Sequence, residues 1–153
     1  MWPPKGDLDI LLARGKEVFH VNCAVCHMDN GVGNPANGCP PLVGSEWVTS
    51  PGPGRMIRIE SKGLIGPIEV GGKPYGTGGQ SMLPVGDQLQ GDEKQKAYDI
   101  AAIVTYVRKT FGNIQTPVQP AQVVAQVAAV RAQIKDRNTP FTADELKKVP
   151  ENE

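Results

Sequence analysis

The chain carries no excess of charge: sixteen lysines and arginines balance sixteen aspartates and glutamates over 153 residues. That balance lacks the electrostatic footprint of a nucleic-acid binder or of a protein with a strongly charged partner. No apolar stretch is long enough to span a bilayer, and no segment has the layout of a signal peptide. Histidine is limited to His20 and His27, and cysteine to Cys23, Cys26 and Cys39. There is therefore no second Cys-x-x-Cys and no His-x₃₋₅-His to complete a zinc site. The glycine-rich stretch from Ser61 to Asp87 lacks the phosphate-loop pattern. Its Gly66-x-x-x-x-Gly71 is followed by Gly72, and Lys73 is followed by Pro74. A chain of this length is expected to form one domain.

Cys23-Ala24-Val25-Cys26-His27 is the informative segment. It has the Cys-x-x-Cys-His form of a c-type haem attachment site. Two thiols bond to the haem vinyl groups, and the adjacent imidazole reaches the iron. A redox dithiol and half a zinc site are the alternatives. A thioredoxin-type dithiol follows a strand in a βαβ pattern, whereas this motif follows a helical stretch and no βαβ pattern is visible.

A second axial ligand has to come from the other side of the ring, and a methionine thioether is the common choice. Met1 is terminal, and Met28 adjoins His27 too closely to reach the opposite face. Met56 sits in Arg55-Met56-Ile57-Arg58-Ile59, which reads as a short helix with Met56 as core filler. Met82 lies in Gly79-Gln80-Ser81-Met82-Leu83-Pro84-Val85-Gly86, a loop whose glycines allow close backbone approach and whose Pro84 keeps Leu83 extended. Met82 is the candidate ligand.

These segments, taken in order, resemble the bacterial monohaem class I cytochromes c over about Asp7 to Asn113. The resemblance rests on Gly15-Lys16-Glu17-Val18-Phe19, the haem motif, Cys39-Pro40-Pro41-Leu42-Val43-Gly44, Met82-Leu83-Pro84 and the stretch from Asp99 to Arg108. It implies an all-α class I cytochrome c fold around one covalent haem c. It also implies that the Pro40 carbonyl accepts a hydrogen bond from His27 Nδ1, and that the first and last helices of the domain cross near Gly15 beside Phe19 and Tyr106. Cys39 departs from the family, which has glycine or another small residue there.

The residue patterns agree with that layout. A first helix runs from about Asp7, a plausible N-cap, to the haem motif, with Leu8, Leu11, Leu12, Val18 and Phe19 as a loose apolar face. A second long helix runs from about Glu93 to Phe111, with Ile100, Val104, Val107 and Phe111 on one face and a stop at Gly112-Asn113. Between them, Ile68-Glu69-Val70, a Gly71-Gly72 turn and Lys73-Pro74-Tyr75 read as a small β-hairpin insertion over the haem rim, with Pro74 on an edge strand. Trp47, Arg55, Arg58 and Tyr75 are candidate donors to the haem propionates by location.

The division expected is a cytochrome c domain over 1–113 and a C-terminal helical extension over 114–153. Gln115 to Pro120 reads as a linker. Val123, Val127, Val130 and Ile134 define a helix from Ala121 to about Lys135, and Thr142-x-x-Glu145 is a capping box stapled by Phe141 and Leu146. Both helices are too short to stand alone, so they pack on the domain or on a partner. Cys39 is left as a buried inert thiol, or one free for an intermolecular bond, and His20 as a surface or packing histidine.

The function expected is one-electron transfer through a His27/Met82-ligated haem, between a dehydrogenase or quinol-oxidising complex and an oxidase or reductase. A tightly bound cytochrome subunit of a membrane oxidoreductase complex is the alternative. A haem enzyme or gas sensor with an open iron position is more remote, because no residue stands out as a distal acid-base group. The resemblance places such a protein in the periplasm or otherwise outside the cytoplasm, as a mature form, with any membrane association made through a partner or a removed anchor.

Overall fold

The computed structural model describes residues 7–114 and 118–153. Seven α-helices are described: α1 (Asp7–Asn22), α2 (Ala24–His27), α3 (Glu46–Thr49), α4 (Gly54–Lys62), α5 (Glu93–Thr110), α6 (Pro120–Gln133) and α7 (Ala143–Lys147). Four short strands lie between α4 and α5: β1 (Leu64–Ile65), β2 (Ile68–Val70), β3 (Lys73–Tyr75) and β4 (Ser81–Met82). The fold is mainly helical, with its strands confined to two two-stranded antiparallel sheets.

The frame is the crossing of α1 over α5. Leu11, Val18 and Phe19 on α1 pack into the same core as Ile100, Ile103, Val104 and Val107 on α5. The helices approach until backbone meets backbone. A Cβ added at Gly15 would lie 2.1 Å from the Ala102 carbonyl oxygen and 2.7 Å from Tyr106 Cβ. Beside that contact Phe19, Tyr106 and Phe111 form an aromatic trio with ring centroids 5.3 to 5.9 Å apart, a spacing that favours tilted and edge-on pairs.

One polar pair is built into this crossing. Asp99, only 1% exposed, receives Arg14 Nε at 2.8 Å and Arg14 Nη2 at 3.0 Å, and Gln95 Nε2 at 3.0 Å. The two-pronged pairing satisfies a carboxylate that burial would otherwise make costly. The hydrogen bond from Arg14 to Asp99 in turn holds the guanidinium well above its ordinary pKa.

Strands β2 and β3 pair Ile68 with Tyr75, Glu69 with Pro74 and Val70 with Lys73. Gly71 and Gly72 both take positive φ, +59° and +78°, as a two-residue primed hairpin turn requires. A second pairing, Leu64 with Met82 and Ile65 with Ser81, closes the base of this excursion. The Met82 segment, expected as an extended loop, is thus a strand held to β1. A two-residue strand has no alternation to read from sequence.

Helix α6 starts at Pro120, so that residue opens the helix instead of ending the linker; its missing N–H costs nothing in the first turn. Of the expected linker, residues 115–117 lie outside the described residues. Val127 and Val130 bury in the core shared with α5 and α4, with Val123 and Ile134 half-buried against it. Arg131 Nη2 reaches Glu93 on α5 at 3.0 Å. The α7 capping box is complete: Thr142 Oγ1 accepts from Glu145 N, and Glu145 Oε1 from Thr142 N. Arg137 clasps Glu145, which falls to a pKa of about 2, the Arg137 hydrogen bond being the main cause. Phe141 and Leu146 pack with Ile59 of α4, and Ile65 N donates to the Phe141 carbonyl at 2.9 Å.

Gly15→Ala gains about 1 kcal/mol of helix propensity, yet its methyl meets a carbonyl that cannot move without separating α1 from α5. Overpacking of that kind costs about 1–3 kcal/mol, so urea unfolding is expected at a lower midpoint with an unchanged slope. A raised midpoint would refute the close crossing. Ending the chain after Asn113 removes Val127, Val130, Phe141 and Leu146, each buried side chain worth about 1.5–3 kcal/mol. A clear fall in the thermal midpoint is expected, and an unchanged one would mean that the tail contributes nothing to the domain.

Candidate functional site

The crossing fixes where the end of α1 points. Cys23 sits between α1 and α2, its N–H bonded to the Phe19 carbonyl at 2.8 Å. The His27 N–H returns to the Cys23 carbonyl at 2.9 Å, and Met28 leaves the helix at φ +64°. Cys23, Cys26 and His27 therefore share one helical turn. Cys23 is buried, Cys26 is exposed at the rim, and His27 is 8% exposed. Burial pushes the Cys23 thiol well above its usual pKa, with the charges of Glu60 and Cys26 adding to it.

His27 Nδ1 lies 3.0 Å from the Pro40 carbonyl oxygen. A carbonyl only accepts, so Nδ1 carries the proton and Nε2 keeps its lone pair. Burial lowers the imidazole pKa against the opposing Pro40 bond, which favours the neutral ring. A neutral imidazole with a fixed tautomer is a metal ligand in waiting. Pro40 is held by a tight loop in which Asn34 and Cys39 exchange backbone hydrogen bonds at 3.0 Å around the 3₁₀ turn Pro35–Asn37. Cys39 itself is buried, its thiol pushed up to about 12, chiefly by burial, and its Sγ lies 3.4 Å from His27 Nδ1. His20 is exposed and pairs with Asp29 at 2.8 Å, away from this turn.

His27 and Met82 line one crevice with a mostly apolar inner end, the character expected of a cofactor site. Cys23, Pro40, Leu64 and Ile68 complete that set at the inner end and at the mouth, where Cys26 joins them. The α4 side supplies Met56, Ile59 and Glu60, and the hairpin supplies Ile68 and Val70. Met56 is buried in the core and reaches the inner end alone, whereas Met82 lines both the inner end and the mouth.

The expected propionate donors separate. Trp47 lines the inner crevice, but its indole N–H is bound to the Glu69 carbonyl at 2.9 Å. Tyr75 lines the mouth. Arg55 and Arg58 are off the crevice wall. Arg55 donates to the Val149 carbonyl at 2.8 and 3.0 Å, and Arg58 to the Gly54 carbonyl at 3.0 Å and to the Glu153 carboxylate. Sequence reasoning assigned both to the site by proximity along the chain, and the contacts that claim them come from some ninety residues away.

One wall residue was missed. Glu60 is buried, and its Oε2 has no hydrogen-bond partner among the described residues. Its signal in sequence is an i, i+4 spacing from Met56 in a segment otherwise rich in apolar residues.

The donor set on this crevice is two thiols one helical turn apart, an imidazole with a free Nε2, a thioether and otherwise mostly apolar walls. That set fits a covalently held haem. It does not fit an all-protein metal cage, since no cluster of three or more His, Cys, Asp or Glu side chains exists among the described residues. The cytochrome c family model matches residues 12–111, from the core face of α1 through the end of α5. Spanning both crossing helices and every segment that lines the crevice between them, the match shows that the chain belongs to the cytochrome c family, whose chemistry is haem-based electron transfer.

Proposed function

We propose that this chain is a one-electron carrier holding a single haem c, with Cys23 and Cys26 as thioether attachments, His27 Nε2 as one axial ligand and the Met82 sulfur as the other. The observation that carries the reading is the 3.0 Å contact of His27 Nδ1 with the Pro40 carbonyl, which leaves Nε2 free in the crevice that Met82 also lines. The bound group supplies a one-electron ferric–ferrous couple, which a soft sulfur ligand biases toward the ferrous form. Pro40 orients the imidazole and raises its basicity. Ile59, Ile68, Val70 and Val48 keep water from the inner wall. Tyr75, at the mouth, is the propionate donor this reading keeps of the four considered.

Partner contact is assigned to the mouth. Val21, Val25 and Leu83 are exposed there, Val25 by 76%. Apolar contact with modest charge suits the small, short-lived interfaces of electron transfer. The partners in this reading are a dehydrogenase or quinol-oxidising complex and an oxidase or reductase, outside the cytoplasm. No helix among the described residues is long and apolar enough to cross a membrane. Residues 114–153 are read as an extension of the 1–113 domain. The packing of α6 and α7 on α4 and α5 favours the free carrier over a complex subunit that uses its tail to dock.

Met82→Ala is expected to leave the haem attached, remove the weak long-wavelength sulfur-to-iron band of the oxidised protein, and lower the reduction potential. An unchanged spectrum and potential would overturn the ligand assignment, and a wild-type protein without that band would bring forward a haem enzyme or sensor. Thiol titration gives an independent check. The folded holoprotein is expected to show no reactive thiol and the unfolded one a single thiol, Cys39. Two or three on unfolding would refute attachment through both Cys23 and Cys26.

A further inference from the structure

Helix α4 has a carboxylic acid where the chemistry of the crevice calls for an apolar side chain. Glu60 is 7% exposed, lines the inner end of the crevice beside Met56 and Ile59, and has Oε2 unpartnered. Ser61 Oγ, also buried and without a partner among the described residues, is off the crevice wall. An ionised carboxylate in such a place has no water and no counter-charge, and several kcal/mol would be spent on it. Among the described residues, the charged groups on α4 and on the elements packed against it do not offer one: Arg55 is held by the Val149 carbonyl, and Arg58 by the Gly54 carbonyl and the Glu153 carboxylate. On α5, Asp99 is held by Arg14, Glu93 by Arg131 of α6, and Arg108 by the carbonyls of Val48, Ser50 and Gly52. Glu46 of α3 accepts from Gly71 N, and Asp87 of the following 3₁₀ turn is exposed. Cys23 and His27, which line the same crevice, are neutral, burial pushing the thiol pKa up and the imidazole pKa down.

We propose that Glu60 is a redox-linked proton site, protonated when the haem of the proposed function is ferrous and ionised when it is ferric. The inference rests on the haem-carrier reading. The balance is one electron from the donor protein and one proton from solvent, taken up together: ferric centre with Glu60 carboxylate, plus an electron and a proton, gives ferrous centre with Glu60 carboxylic acid. Oxidation places one more positive charge in the crevice, and that charge is the counter-ion the carboxylate lacks. Removing it leaves the carboxylate uncompensated, and the proton returns. Burial alone already pushes the Glu60 carboxyl up to about 7, so the exchange falls near neutral pH. The added positive charge lowers the pKa in the ferric state relative to the ferrous one. The midpoint potential therefore falls as pH rises between the two values and is flat outside them. The steepest slope possible for one proton per electron is a tenfold change per pH unit, about 59 mV.

The test is a potentiometric titration of the purified holoprotein from pH 5 to 9, with the same titration of Glu60→Gln. The wild type is expected to show a pH-dependent potential around neutrality, and Glu60→Gln a flat one. A flat wild-type potential overturns the proposal. So does a slope that survives in Glu60→Gln, which would place the proton on a propionate or another group. Should Glu60→Gln fail to fold, Glu60→Leu supplies the apolar side chain of similar size that such sites tolerate, with the same two outcomes. A reduced-minus-oxidised infrared difference spectrum reads the residue directly: a protonated-carboxyl band appears on reduction and is absent from the variant. Protein that carries no covalent haem refutes the parent reading, whereas haem-loaded protein with a flat potential refutes only this inference.

Discussion

The close crossing of α1 and α5 is the constraint from which the rest follows. At Gly15 the two backbones touch, and no side chain separates them. The distance is set there, and the aromatic trio and the Arg14–Asp99 pair set the angle and register around it. Because α1 ends three residues after Phe19 is locked, the turn bearing Cys23, Cys26 and His27 inherits its direction from that contact. The site is aimed by a helix pair that lies largely behind it.

The crevice is then assembled from pieces that have little strength of their own. A short helix, a hairpin and a two-residue strand form its far side. They are secured by side-chain N–H donors on carbonyls and by the pairing of β4 with β1, not by length. Arg108 gathers the carbonyls of Val48, Ser50 and Gly52 beneath α3, and Arg55 ties α4 to the Val149 carbonyl. Trp47 fastens the hairpin through the Glu69 carbonyl. A fan of N–H donors suits this task, because loops present many carbonyls that no regular structure satisfies.

Elements with a long period or a local chemical signature were readable from sequence. The α5 face at Ile100, Val104, Val107 and Phe111 is buried throughout, Gly71-Gly72 makes the turn expected of it, and Thr142 with Glu145 caps α7 as written. Features that depend on remote chain segments were not. The β1–β4 pairing joins two dipeptides with no alternation to detect. Arg55 and Arg58 look like free cations near a cofactor until residues 147–153 arrive to claim them. Glu60 looks like a solvated charge on an amphipathic helix, but Met56 to Ser61 are all buried, so α4 has no wet face along that run. Periodicity predicts burial only where one side of an element meets water.

The last strand-like contact in the chain has a consequence for the order of assembly. Phe141 exchanges backbone hydrogen bonds with the segment at Gly63 and Ile65, beside the Leu64 that lines the crevice. Chains emerge from the N-terminus, so the cysteine motif is made long before this closing contact. Until Phe141 is in place, the Gly63–Ile65 segment lacks that backbone partner. The C-terminal segment thus braces a wall made from residues almost eighty positions earlier, and the crevice keeps its shape only while the end of the chain is docked.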